Sequence, residues 1–561
     1  MVNWKSKKLG DALLLANGII VMVLINLLSS EFFFRLDLTE EKRYTIKEPT
    51  REILKSLDDD IYVEVYLEGE LNAGFRRFQK AIRETLEAFR IYSGNKVQYS
   101  FIDPSTALSQ KARSEFMAEL SSKGIQPTNV IDNRGGERVE KIIFPGAVIS
   151  YAGVEKGVML LKGNKAGSPE EEINQSIEGI EFELANALYK LTEPDPKQIG
   201  FLSGNGELQG LNILAFKEAV SEMYHVRNVT LNENTLSDFE ALVIAKPTMP
   251  FSPPDKYRLD QYIMQGGKVL FLLDRLDASM DSASQANYFA FPYQTNLDDQ
   301  LFKYGVRINQ DLIQDRYAGR YPVITGQRSD GTPQIQLMDW PFFPLINRFA
   351  DHAITHNLDI VLTRFVSSID TVKADGVTKT PLLLTSQYSR KLVAPVNVNI
   401  NELRQNLTAE QFTESFIPVA YLLEGQFTSL YRNRFLPEGV DKTSFREESL
   451  PTKLIVVSDG DLPRNEVNTR TGQPQPLGFD PFNNYTFANQ DLLLNMISYL
   501  IDENGLIRAR NKEIKIRPLD REQASAEKIK WQIINLILPL VLLVMYGIVR
   551  SYWRKRKFAR F

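Results

Sequence analysis

The run from Trp531 to Val549, WQIINLILPLVLLVMYGIV, constrains this chain more than any other stretch, because it holds no charged residue. About 19 such residues in helical form are long enough to span the ~30 Å hydrocarbon core of a bilayer. A lone segment cannot close a barrel, so in lipid only a helix pairs all of its backbone groups. Pro539 stands mid-run and is expected to kink the helix without preventing a span. Arg550, Arg554, Lys555, Arg556, Lys557 and Arg560 follow directly. By the positive-inside bias they place the C-terminus in the cytoplasm. The competing reading is a buried core helix, but such helices rarely abut a basic tail.

The other end carries a weaker form of the same pattern. Ala12 to Ser30 is uncharged, with Lys5, Lys7 and Lys8 before it and Glu31 after it. Asn17 and Asn26 make it less apolar, and Asp11 stands at its edge. A basic start and an apolar middle also describe a secretory signal peptide. No Ala-x-Ala-like cleavage site follows, so an uncleaved signal-anchor is the favoured reading. Asp11 is a candidate intramembrane charge; the duller reading seats it at headgroup level beside Lys8. On this reading residues 1–30 are a cytoplasmic tip and anchor, 531–549 a second transmembrane helix, and 550–561 a cytoplasmic tail. The bulk then lies across the bilayer, which for a bacterial inner membrane means the periplasm.

Charge divides the same way. The two tips hold nine of the 66 Lys and Arg and one of the 70 Asp and Glu, leaving residues 31–530 at a net charge of about −12. An acidic body argues against nucleic acid, which needs basic patches. There are 0 cysteines, which excludes disulfides, thiolate nucleophiles and cysteine–metal sites.

Between the anchors there is room for two to four domains. Phe32, Phe33 and Phe34 suit an interfacial aromatic belt. In residues 31–196, a short helix over Thr45–Leu57 leads to Ile61, Val63, Val65 and Leu67, which alternate with polar or aromatic residues as a strand does. Phe75, Phe78, Ile82, Leu86 and Phe89 fall on one helical face. A second strand covers Val97–Ile102, and a helix runs to about Leu120 with Gly124 as its stop. Turns at Arg134-Gly135-Gly136 and Glu155-Lys156-Gly157 separate three apolar runs, a β-meander. Ser168-Pro169-Glu170-Glu171 caps a helix with Ile173, Ile177, Ile180, Leu184 and Leu188 as its buried stripe. The order β-α-β-α-β-β-β resembles a thioredoxin-like α/β fold without its Cys-x-x-Cys. TEPDPK, residues 192–197, is a linker.

In residues 197–505 the strands become continuous apolar runs: Ile199–Leu202, Ala241–Ala245, Val269–Leu273 and Leu454–Val457. Such runs belong to parallel strands covered on both faces, a doubly wound α/β sheet. Helices are expected over Asn212–Met223 and Pro254–Gln265, and a capped one from Asn489-Gln490-Asp491. Residues 275–450, with the cluster Trp340-Pro341-Phe342-Phe343-Pro344, read as a β-rich insertion. Residues 506–530 read as a stalk.

Ligands of open α/β sheets bind at the carboxyl ends of strands. Ser203, Asn205 and Glu207 follow the first strand of this sheet, Asp274 the third, and Asp459 and Asp461 the last. They are the candidate ligand-binding residues, although Gly, Asn and Asp also punctuate strand ends as ordinary turns. Neither Gly-x-Gly-x-x-Gly nor a phosphate-binding G-x-x-x-x-G-K-[ST] is present, so the chain is not itself a transport ATPase. His352 and His356 stand at a spacing that two ligands on one helix would need. The segment after them reads as strand, so no metal site, catalytic residue or cofactor is expected.

The segments RLDLTEEKRYTIKEPT, YSFIDPS, FLSGNGE, GGKVLFLLD and NQDLLLNMISYLIDENGLIRARNKEI occur in that order over nearly the full length. In them the chain resembles the GldG family, gliding-motility-associated auxiliary proteins of ABC transporters in Bacteroidetes, which is commonly labelled substrate-binding. One departure is Asn205, where relatives often carry His in Gly-His-Gly-Glu. The resemblance implies a GldF-type permease and a GldA-type ATPase as partners, besides a periplasmic protein or glycan. Its second domain is similar to one in an intraflagellar-transport subunit and to amidotransferase-like folds without their cysteine. Fold alone fixes no activity. The leading expectation is a non-enzymatic transporter subunit; the alternative is an anchored glycan- or peptide-binding protein or hydrolase using the strand-end cleft.

Overall fold

The computed structural model describes residues 13–24, 45–106, 109–134, 137–162, 169–192, 197–232, 236–284, 288–327, 332–400, 408–468, 471–483, 485–502 and 527–558, with only the backbone course given for 131–134, 137–140 and 557–558. The first basic tip, Asp11, Phe32 to Phe34, the Gly135–Gly136 turn, the cap Ser168, most of the TEPDPK linker and the stalk over 506–526 lie outside the described residues. The chain divides into two compact units, Met1–Lys512 and Glu513–Phe561.

Helix α1 is described over Leu13–Leu24, shorter than a span requires. The rest of the expected first anchor lies outside the described residues.

After α2 (Glu48–Lys55), β1 (Ile61–Val65) buries Ile61, Val63 and Val65 and exposes Tyr62 and Glu64, as its alternation requires. In α3 (Ala73–Tyr92) the Asn72 side chain caps the first turn by accepting from Phe75 N, and Phe78, Ile82, Leu86 and Phe89 are fully buried. β2 (Val97–Phe101) pairs parallel with β1. Helix α4 (Gln110–Ser122) precedes a separate hairpin, β3 (Thr128–Arg134) with β4 (Glu137–Ile143). Then β5 (Gly146–Tyr151) and β6 (Val154–Met159) complete a sheet ordered β2-β1-β5-β6. Helices α2, α3 and α5 (Pro169–Thr192) cover one face, and Leu120 and Ile125 pack on Tyr66, Phe144 and Val148 at the other.

Four strands therefore follow α4, where three apolar runs were read. The expected turn at Glu155-Lys156-Gly157 lies inside β6, paired with Ser150, Ile149 and Val148. The chain reverses instead at Ala152-Gly153, with φ of 49° and 82°. A two-residue hairpin turn of this hand needs positive φ at both positions. Ala152 carries no marker of that, so the more polar tripeptide was the louder signal.

Near the end of α5, Lys190 is half-buried. Burial pushes its ammonium down to about 7, helped by Lys162 and Lys156 and opposed by Glu183. In the unfolded chain a lysine titrates near ~10.4. The resulting penalty on the fold is complete below pH ~7 and fades as pH rises toward ~10.4. Lys190→Met should therefore raise the thermal midpoint at pH 7 and hardly change it near pH 10. Equal shifts at both pH values would refute the burial account.

The second sheet has eight strands. In chain order come β7 (Gln198–Leu202), α6 (Leu214–Ser221), β8 (His225–Val229), β9 (Ala241–Ala245), α7 (Pro253–Met264), β10 (Lys268–Leu272) and α8 (Asp298–Tyr304). β11 (Ala318–Gln327) and β12 (Pro333–Ile346) form a long hairpin, followed by β13 (Arg348–Phe349), β14 (Val377–Leu384), β15 (Pro418–Gly425), β16 (Thr452–Val457) and α9 (Asn489–Ile501). The sheet runs β13-β14-β15-β16-β10-β9-β7-β8. Its strands from β16 to β8 are parallel. Alternate residues feed two cores. Phe201, Val243, Leu270 and Ile455 meet α6 and α9 on one face; Leu242, Ile244, Phe271 and Val456 meet α7 and α8 on the other. Helices on both faces make this a doubly wound layout, as the apolar runs imply.

The β-rich insertion, residues 275–450, also adds strands to the main sheet. Its strands β13, β14 and β15 extend the parallel sheet antiparallel. Trp340, Phe342 and Phe343 pack with Phe365 as its aromatic core. Helix α9 also differs at its start. Ala488 is the N-cap, without a side-chain bond, and the Asn489 amide instead bonds Leu362 N at 3.0 Å and Leu362 O at 2.8 Å.

Helix α10 (Lys528–Phe558) runs unbroken through Pro539. Within Lys528–Arg556 lies an apolar segment with a mean hydropathy of 2.3, and none of that segment is buried.

Candidate functional site

The parallel strands lie in the order β8-β7-β9-β10-β16, which places the reversal of winding between β7 and β9. Open α/β sheets keep their ligand crevice outside the carboxyl ends of the strands at such a reversal. The loop from Ser203 to Glu207 leaves β7 there. Ser203 donates to Val229 O from both N (2.9 Å) and Oγ (3.3 Å). Asn205 N donates to Glu207 Oε2 at 2.7 Å, and Asn205 Nδ2 donates to Pro250 O at 3.2 Å. Asn205 O accepts from Thr248 N (3.0 Å) and Met249 N (2.9 Å), and Leu208 N donates to Ala245 O at 3.0 Å. The loop is thus stitched across the reversal to the segment after β9. Glu207 is buried and its Oε1 has no hydrogen-bond partner among the described residues. Burial raises its pKa, against the amides of Glu207, Asn205 and Gly204.

The second group sits at the ends of β9, β10 and β16. Lys246, the residue after β9, has a φ of 53° and is buried. Its Nζ lies 2.7 Å from Asp274 Oδ2 and 2.6 Å from Asp461 Oδ2. Gly460 N donates to Asp274 Oδ1 at 2.5 Å. A Cβ on Gly460 would fall 2.9 Å from both Lys246 Cβ and Asp274 Oδ1, so only glycine lets these groups close together. Asp459 accepts from Asp461 N at 2.9 Å and from Arg364 N at 2.9 Å. The Arg364 guanidinium pairs with Glu466 at 2.7 Å.

Burial opposes the charge on Lys246, but the attraction of Asp274 and Asp461 outweighs it and the pKa is raised. The two carboxylates respond differently. Burial pushes Asp274 up to about 6 despite Lys246. Asp461 stands below the usual carboxylate range, because Lys246 and Arg464 together overcome burial. Arg464 Nη1 is 3.4 Å from Asp461, a second cation that acts on this carboxylate. Burial raises Asp459 well above its ordinary value, with repulsion from Asp274 and Asp461 adding to it. An ammonium held between carboxylates keeps its proton and so lacks the lone pair that a nucleophilic lysine needs. The space left beside Asp461, Arg364, Arg464 and Glu466 is about 10 Å³. That admits roughly one water.

Of the six sequence candidates, Asp274, Asp459 and Asp461 come together, while Ser203, Asn205 and Glu207 form the loop at the reversal. Lys246 and Arg364 were missed. A signal for Lys246 existed: it ends a fully buried strand, and that strand's neighbour β10 leads to an aspartate. His352 and His356 sit in a turn where His356 N donates to His352 O at 2.9 Å. Among the described residues no cluster could hold a metal ion.

The strand ends of the doubly wound sheet thus carry a buried cluster of opposite charges, and the same chain holds an exposed apolar helix. The chain belongs to the ABC-transporter auxiliary family, described as an ABC-type uncharacterized transport system, which matches residues 196–496, more than half of the chain. Its partners are accordingly components of an ABC-type transport system. A domain of unknown function matches residues 40–150. The chain is 22% identical over 568 residues to an uncharacterized protein of Borreliella burgdorferi, covering 96% of each. Among solved structures, the mmIFT52 N-terminal domain aligns at 11% identity and a TM-score of 0.32, over 54% of this chain and 97% of that one.

Proposed function

We propose that this protein is a non-enzymatic subunit of an ABC transporter of the GldG kind, tethered at both ends to the bacterial inner membrane. The observation that carries the reading is α10, whose long apolar segment has no buried residue, in a chain of the auxiliary family. Residues 31–196 and 197–505 then form two periplasmic domains, with both termini in the cytoplasm. The order β2-β1-β5-β6, with its first pair parallel and the others antiparallel, supports a thioredoxin-like reading of the first. The spans pack against a GldF-type permease served by a GldA-type ATPase, and the complex acts in gliding motility. The second reading, a glycan- or peptide-binding protein or hydrolase working in the strand-end cleft, is not favoured beside Asp461, where the space is about 10 Å³.

Solubilisation in a mild detergent followed by affinity purification is the test. A permease and a nucleotide-binding ATPase should elute with the protein in fixed ratio. Recovery of the protein alone, under conditions that keep the permease soluble, would overturn the assignment.

A further inference from the structure

A hollow of about 510 Å³ opens between α8 and the turn after β15. Ligand sites commonly fall in the range of roughly 300–1,000 Å³. It shares no lining residue with the strand-end cluster. One buried carboxylate holds its walls from behind. Asp260, on α7, is fully buried and accepts from Tyr304 Oη of α8 (2.8 Å), Gln261 Nε2 (2.9 Å), Ser429 Oγ (2.6 Å) and Leu430 N (2.9 Å). Such a site is formed before any ligand arrives.

The lining combines an apolar wall with oriented cations. Phe302 is 52% exposed, and Leu430 lies beside it. Arg434 Nη1 donates to Asp299 Oδ2 at 2.6 Å and Arg307 Nη2 to Asp370 Oδ2 at 2.8 Å. Arg432 is held by Glu447 at 3.3 Å and Glu448 at 2.8 Å. A guanidinium carries five N–H donors, so each keeps some unused while its plane is fixed. Lys303 and Asn433 also line the hollow, and their side chains bond to nothing among the described residues. Four cations and two carboxylates, Asp298 and Asp299, line the hollow, an excess of positive charge in the lining of a body that is acidic overall.

We propose that this hollow binds an acidic segment of a partner protein. A Glu or Asp carboxylate is taken by Lys303, Asn433 and the arginines, while a neighbouring apolar side chain lies on Phe302. Arginine and aromatic residues together are the composition of interface centres. A bare small anion would have no use for the apolar wall. Asp298 and Asp299 on the rim penalise a phosphate dianion more than a single carboxylate. The inference goes beyond the accessory role and does not depend on which transporter is served: copurification tests that role, and peptide binding tests this site.

The experiment uses the full chain in nanodiscs of zwitterionic phosphatidylcholine. The probe is a dye-labelled peptide of alternating Glu and Phe, read by fluorescence anisotropy against its Gln and Phe counterpart. The acidic peptide should bind at least tenfold more tightly. Lys303→Gln combined with Asn433→Ala should weaken it at least tenfold and hardly move the unfolding midpoint, because neither side chain makes a hydrogen bond or ion pair among the described residues. Equal binding of the two peptides, no binding, or equal binding by wild type and variant overturns the proposal. So does full displacement of the peptide by millimolar inorganic phosphate, which would mark a small-anion site.

Discussion

Replacing Lys246 with alanine should destabilise the protein by about 3–5 kcal/mol, the usual cost of leaving a buried charge without its partner. Asp274 and Asp461 would then face each other across the vacated position with the ammonium gone. Both would take up protons more readily, so the variant's folded state binds more protons than its unfolded chain. Its stability therefore falls as pH rises through that window. The deficit against wild type should be larger at pH 8 than at pH 5. Swapping the three charges together, Lys246→Met with Asp274→Leu and Asp461→Leu, should recover part of the loss, since apolar packing often replaces a buried ion cluster at little cost. Recovery stays partial because Gly460 N loses its acceptor on Asp274. Thermal unfolding of the detergent-solubilised full chain at both pH values measures all of this. A loss for Lys246→Ala below about 1 kcal/mol would mean a hydrated, open cluster, and would return the strand-end cleft to favour as a binding site.

What could be read from residues alone follows from how strongly each environment marks its sequence. Ala241–Ala245 and Leu454–Val457 lie in the middle of the sheet, so covering both faces forces unbroken apolar runs that stand out. His225–Val229 is the outermost strand on its side and buries only Val229, so it carries no such mark. The strands from the insertion join the far edge through pairings of distant segments, such as Leu422 with Ile455, which local patterning cannot disclose. The site shows the same division. Aspartates after strands are visible, but the closing of Asp274 onto Gly460 and Lys246 depends on three strand ends meeting. The hollow by Phe302 draws on α8 and a turn more than a hundred residues later, joined through Asp260.

Deleting residues 528–561 should leave the protein in the membrane, and deleting residues 1–44 as well should release it. The Lys528–Arg556 helix is 29 residues long, so at 1.5 Å per residue it exceeds the ~30 Å hydrocarbon core. Its aromatic residues match that excess. Trp531 stands near one end and Tyr552 and Trp553 near the other, about 33 Å from Trp531 to Trp553. Indole and phenol rings favour the two interfaces, Lys528, Lys530, Arg554 and Arg556 lie at or beyond them, and Arg550, less than a turn inside, is long enough to reach its interface. On the proposed double tether this helix alone suffices as an anchor, so the single deletion at either end tests the other end. Flotation of alkali-washed membranes separates true anchoring from aggregation, because aggregates sink. Both single deletions should float and the double deletion should not. Loss of flotation on removing 528–561 alone would mean that the N-terminal segment does not hold the protein and that the double tether is wrong. Flotation of the double deletion would instead locate a membrane-binding surface on the acidic body, which its net charge of about −12 makes unfavourable toward anionic lipid.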